Sequence, residues 1–127
     1  MQALPPFKRV VTGHAADGQA IVVSNGPTPS VFPLLAVPGT VFHELWNSSA
    51  SPALLDNADD PTSKPLQLSP DPHGSVIRVV DIPPDSVQNQ VSDENAAAVF
   101  AEIGESHAGT GQANARHKLM HRTETLD

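Results

Sequence analysis

Thirteen prolines spread through 127 residues constrain this chain more than any other feature. Proline lacks a backbone N–H and breaks helix interiors and central strands alike. With eight glycines beside them, the prolines imply short strands joined by many turns rather than a helical bundle. The hydrophobic fraction of 39% lies below the roughly 45–50% of ordinary globular chains. Fifteen of those residues are alanines, so the core is thin for the length and rests mostly on Val and Leu.

The length suits one domain, residues 1–127. A formal charge of −7 with only seven Lys and Arg argues against nucleic acid, because phosphate binding needs clustered cations. The absence of cysteine excludes disulfides, thiolate nucleophiles and Cys-type zinc sites. The start of the chain lacks the apolar run of a signal peptide, and no stretch is long enough to span a bilayer. The expected address is the cytoplasm, with no membrane partner.

Residues 7–14 and 19–25 are β-rich and flank Asp17-Gly18, a strong hairpin signal. Residues 26–39 form a Pro-rich loop whose Val31, Phe32, Leu34 and Leu35 suit a loop lying over a core. A third strand spans 40–47. Strict alternation puts Val41, His43 and Leu45 on one face, and Phe42, Glu44 and Trp46 on the other. Trp46, the only tryptophan, is expected in the core or lining a pocket, and His43 is expected as a hydrogen-bonded histidine.

Residues 48–74 are polar and read as a solvated loop, with a short strand over 65–68. The spacing of Asp56, Asp59 and Asp60 does not match a calcium loop. A fourth strand spans 74–82, with Arg78 expected as an exposed strand charge. Residues 92–103 predict one helix, capped by Ser92 or Asp93, with an apolar stripe at Ala96, Val99, Phe100 and Ile103 and a terminating Gly104.

The last stretch, His117 to Asp127, concentrates groups able to do chemistry. Read as a strand, it aligns His117, Leu119, His121, Thr123, Thr125 and Asp127 on one polar face. His117 and His121 would then stand about 13 Å apart, too far to share a metal. Read as a helix, the pair has i, i+4 spacing but lacks the Glu of a zinc-protease helix.

Three motifs stand in order along the chain: Arg9-Val10-Val11-Thr12-Gly13-His14 with Asp17-Gly18, Phe42-His43-Glu44-Leu45-Trp46, and Met120-His121-Arg122-Thr123. In this order the chain resembles the front half of small single-domain cupins. It is similar in particular to cupin-domain proteins of fungal polyketide clusters that make salicylaldehyde-type compounds and are named as oxidoreductases. The resemblance implies a mainly β fold, the N-terminal part of a double-stranded β-helix (jelly-roll) barrel with one short helix, incomplete on its C-terminal side.

Cupins carry a His-x-His motif followed by a Glu, with a further His downstream. The resemblance places His121 at the first His and Asp127 near the Glu, as ligands of a divalent iron, manganese or zinc ion or as proton-transfer groups. Thr123 stands where the second His belongs and becomes a pocket hydrogen-bonder, with His43 and Trp46 lining the same pocket. The downstream His has no counterpart in these residues. The implied function is an oxidoreductase of secondary metabolism acting on an aromatic or reduced polyketide intermediate. The alternatives are a non-catalytic small-molecule-binding module or an inactive fragment. Strand edges left open by a partial barrel favour association, a homodimer being the simplest form.

Overall fold

A computed structural model describes residues 6–56, 59–110 and 114–125. The chain is mainly β, with two small antiparallel sheets and two short helices. Strands β1 (Lys8–His14) and β2 (Ala20–Pro27) form the expected hairpin. Its turn is closed by Gly18 N–H donating to Ala15 O (2.9 Å) and by Gln19 N–H donating to Asp17 Oδ1 (3.0 Å). Gly18 holds φ +85°, a conformation that glycine takes without the penalty of a side chain.

The second sheet runs β3–β4–β5, from Val31–Pro33, Val41–Ser48 and Ser75–Asp81. Strand β3 lies inside the Pro-rich loop, which does cover the core through Leu34 and Val37. No barrel closure is present among the described residues. Pro65–Leu68 is not a strand. It runs beside the helix end, where Leu68 N–H donates to Ile103 O (3.0 Å).

A bulge in β4 changes the expected alternation. Glu44 pairs with Arg78 and Trp46 with Ile77, leaving Leu45 as the extra residue. One inserted residue shifts every later side chain to the opposite face. Phe42, Glu44 and Asn47 therefore share a face with Val76, Arg78 and Val80. Trp46 joins His43, Val31, Ile77, Val79 and Asp81 on the other. Trp46 is accordingly 41% exposed, so it is not in the core, one of the two places expected for it.

The first of these faces covers the core. Phe42 packs in one cluster with Leu34, Val37 and Leu66 and with Ala96, Val99, Phe100 and Ile103. The last four are the apolar stripe of the long helix. Helix α1 (Asp85–Gln88) is a single turn, and α2 (Asp93–Glu102) is the helix expected from its cap and stripe. Ser92 Oγ accepts from Asn95 N–H (3.1 Å), and Gly104 ends the helix at φ +74°.

Two ion pairs, one buried and one partly buried, join segments that are distant in sequence. Arg78, expected as an exposed charge, has a side chain only 14% exposed and reaches Glu44. Its Nε lies 2.9 Å from Glu44 Oε1, close but poorly aligned for a hydrogen bond, and Nη2 donates to Glu44 Oε2 (3.2 Å). Arg78 also donates to Leu68 O (2.8 Å) and Gln67 O (2.7 Å), and lies 5.7 Å over the Phe42 ring. These bonds pull the 65–68 segment onto the sheet.

Arg9 ties the hairpin down. It donates to Leu45 O at the bulge (3.0 Å) and pairs with Asp60. Asp60 Oδ1 also accepts from Thr62 N–H (2.9 Å) and Thr62 Oγ1 (2.7 Å), and Thr62 is buried. The 48–74 loop is therefore anchored at its centre rather than solvated throughout. Partial burial of Asp60 opposes its charge, but the Arg9 and Thr62 hydrogen bonds outweigh that and hold its pKa at about 2.

A carboxylate with a lowered folded-state pKa stabilises the fold above its unfolded pKa and loses that contribution on acidification. The Asp60 contribution, on the order of 2 kcal/mol, should be complete above its ordinary value of 3.8 and lost as pH falls towards 2. Denaturant unfolding of wild type and Asp60→Asn across this range should show a steep acid loss in the former and a shallower one in the latter.

Candidate functional site

The open face of the β3–β4–β5 sheet carries the one paired polar group with catalytic character on an apolar strip. His43 Nε2 lies 2.9 Å from Asp81 Oδ2, with side chains 11% and 18% exposed. An ionised carboxylate only accepts, so Nε2–H is the donor, and in the neutral ring Nδ1 holds the lone pair. Phe7 packs edge-on against the imidazole, with centroids 4.9 Å apart at 75°. The ring is thus fixed by a carboxylate and an aromatic edge.

Around this pair the sheet presents Val31, Trp46 and Ile77, all exposed, with Ile77 at 60%. Cross-strand register places them on the His43 face. The arrangement offers a partly exposed indole and branched aliphatic flanks, with a nearly buried imidazole on the same face held by Asp81 and Phe7. Such a surface can take a planar, largely apolar molecule bearing a hydroxyl or carbonyl group.

The terminal stretch is built otherwise than expected. Among the described residues it forms no strand, only one isolated bridge between Gly109 and His121. A turn closes from Met120 N–H to His117 O (3.1 Å), and Leu119 N–H donates to His117 Nδ1 (3.1 Å). Chain bonding is spent locally and on the 108–110 segment, through Thr110 N–H to Met120 O (3.2 Å) and Arg122 N–H to Ala108 O (2.9 Å). Among the described residues the alternating polar face from His117 onward does not form.

His121 is exposed, with its Nδ1 3.0 Å from Leu119 O and its ring 6.1 Å from that of Phe100. Thr123 Oγ1 lies 2.5 Å from Thr125 Oγ1. Asp127 lies outside the described residues. Among the described residues no three His, Asp or Glu side chains gather as a metal-ligand set. The described neighbours of His121 therefore do not fit the metal site that the cupin pattern implies.

The chain matches no protein-family model and no curated protein.

Two cavities lie elsewhere. One, of about 20 Å³, is polar, lies beside Glu44 and Asn47, and suits a single water. The other is an open apolar groove of about 440 Å³ between Phe32, Leu34, Leu66 and the end of α2. Its one carboxylate, Glu102, already accepts from Leu35 N–H (2.7 Å) and Ala36 N–H (3.3 Å). Neither cavity is lined by His43, Trp46 or His121.

Sequence reasoning named His43 and Trp46 as pocket residues, and the structure puts them on one face with Asp81 and Ile77, which sequence reasoning did not name. Asp81 had a signal: it closes a strand on the face opposite Arg78. Its pairing with His43 depends on register across 38 residues. Among the described residues no helix is long and apolar enough to cross a membrane.

Proposed function

We propose that this chain is a cupin-like small-molecule-handling unit of secondary metabolism that takes an aromatic or reduced polyketide intermediate on the open face of the β3–β4–β5 sheet. The observation that carries this reading is the His43–Asp81 pair beside Trp46 and Ile77. Trp46 supplies the stacking surface. His43 accepts or relays a proton at a ligand hydroxyl, and Asp81 orients the ring. In this reading the two sheets are strands of a partial jelly-roll, and the ligand sits on what becomes a barrel wall.

Oxidoreduction is the activity named for the proteins the sequence resembles, and it is the first version of the proposal. The second version is binding without turnover. It is favoured by Thr123 standing where the resembled pattern has its second His.

Calorimetric titration with salicyl alcohol, a hydroxylated aromatic that does not react with amines, tests the site. Trp46→Ala should weaken binding by about tenfold, the value of one well-placed aromatic contact. Asp81→Asn should weaken it less, and His121→Ala should leave it unchanged. Unaltered affinity in Trp46→Ala would remove the sheet face from consideration. With a two-electron acceptor such as a nicotinamide or flavin supplied to take the hydride equivalent, oxidation of the bound alcohol to its aldehyde, reduced by Asp81→Asn, supports the oxidoreductase version, and binding without turnover under the same conditions supports the second.

A further inference from the structure

Trp46 stands on the His43 face because of one extra residue, Leu45. A bulge leaves backbone groups outside the ladder, and those away from water need partners elsewhere. Two segments distant in sequence supply them. Thr28 Oγ1 donates to Glu44 O (2.6 Å), and Arg9 Nη1 donates to Leu45 O (3.0 Å). Glu44 N–H donates to Ser30 O (3.0 Å). The strand is thus held from outside its ladder at the point where its alternation changes.

Arg9 does more than meet one carbonyl. Its side chain is 9% exposed, and its guanidinium is engaged by Leu45 O and Asp60. Asp60 Oδ1 accepts from Thr62 Oγ1, and Ser30 Oγ donates to Thr62 O (2.9 Å). Arg9 therefore ends a run of bonds that leads back to the 28–30 segment, which holds Glu44. Among the described residues, Arg9 also supplies the side-chain bonds that join β1 and β2 to the rest of the chain. Phe7, two residues earlier, sets its ring edge on His43. One side chain thus stands behind two features of this face: Trp46 through the bulge, and Phe7 through the chain.

We propose that Arg9 is a positioning residue for the ligand face, keeping Trp46 beside His43 by binding the Leu45 carbonyl and keeping Phe7 on the imidazole by docking the hairpin. Its service to a ligand rests on the reading of that face given above; its placement of Trp46 does not. Arg9 acts through Leu45 and Phe7, with no contact to the ligand itself.

Trp46 is the only tryptophan and the chain has no tyrosine, so intrinsic fluorescence reports this one residue. Arg9→Met keeps the aliphatic stem and removes the donors. It should move the Trp46 emission to longer wavelength and make it easier to quench with acrylamide, at a temperature where far-ultraviolet circular dichroism shows the variant folded. Its calorimetric affinity for salicyl alcohol should fall by about tenfold, as in Trp46→Ala. Phe100→Ala, which destabilises through the core, should leave emission and quenching of the folded protein unchanged. If Arg9→Met does not fold, Asp60→Asn makes the same comparison, because it weakens the anchor of the guanidinium and leaves Arg9 in place. Emission and quenching equal to wild type overturn the proposal, as does an equal change in Phe100→Ala. A fluorescence change with undiminished affinity also overturns it, since Arg9 would then hold the indole without serving the face. A wild type that binds no salicyl alcohol removes the ligand reading instead, and the fluorescence comparison still decides whether Arg9 places Trp46.

Discussion

Arg78→Ala should destabilise the chain by about 3–5 kcal/mol, the cost of leaving a buried charge without its partner. Glu44 is 7% exposed at its side chain and would lose its guanidinium partner. The same change releases Gln67 O and Leu68 O, which Arg78 holds against the sheet. The 65–68 segment carries Leu66 into the core, so the loss extends beyond the ion pair. Removing both charges should cost less than removing one. The double variant Glu44→Leu with Arg78→Met, which keeps bulk and apolar contact with Phe42, should recover a large part of the loss. Urea unfolding of the three proteins measures this directly, and a double variant as unstable as Arg78→Ala would mean that the pair itself stabilises the fold.

Phe100→Ala should cost about 3–4 kcal/mol as a large-to-small change in a packed core. Phe100 is buried among Val99, Ile103, Leu34 and Val37. A side chain on Gly109 would meet its ring at 3.0 Å, so the 108–110 segment lies directly on it. The His121 ring packs at its edge. The substitution should therefore loosen the terminal segment as well as the core. Hydrogen exchange should show faster exchange at Thr110 and Arg122, whose amides bridge the two segments, than the global loss of stability predicts.

Elements with local signals were legible in the sequence. Helix α2 carried its own cap at Ser92, its stripe from Ala96 to Ile103 and its stop at Gly104. The hairpin carried Asp17-Gly18 between two β-rich runs. The misreadings share a physical cause, which is that they depend on pairing between distant segments. Arg78 looks exposed until Glu44, 34 residues away, is placed opposite it. The bulge at Leu45 leaves no mark in the strand pattern, yet it moves Trp46 to the His43 face. Its carbonyl is taken by Arg9, 36 residues earlier.

The candidate site follows the same rule. The histidines of the terminal stretch drew attention because they are close in sequence. His117 and His121 are nevertheless placed by a turn and one bridge, not by a strand. His43, read from its strand as a hydrogen-bonded histidine, gains a carboxylate, an aromatic edge and a tryptophan-bearing face from the fold.

The central claim is that the working surface is the His43–Asp81–Trp46 face and not the terminal histidine segment. Amide chemical-shift mapping on the ¹⁵N-labelled chain, titrated with salicyl alcohol, tests it most directly. The account predicts saturable shifts concentrated in Val41–Ser48 and Ser75–Asp81, including the Trp46 indole N–H. Shifts concentrated at 117–125, or in the groove at Phe32, Leu66 and Glu102, would contradict it.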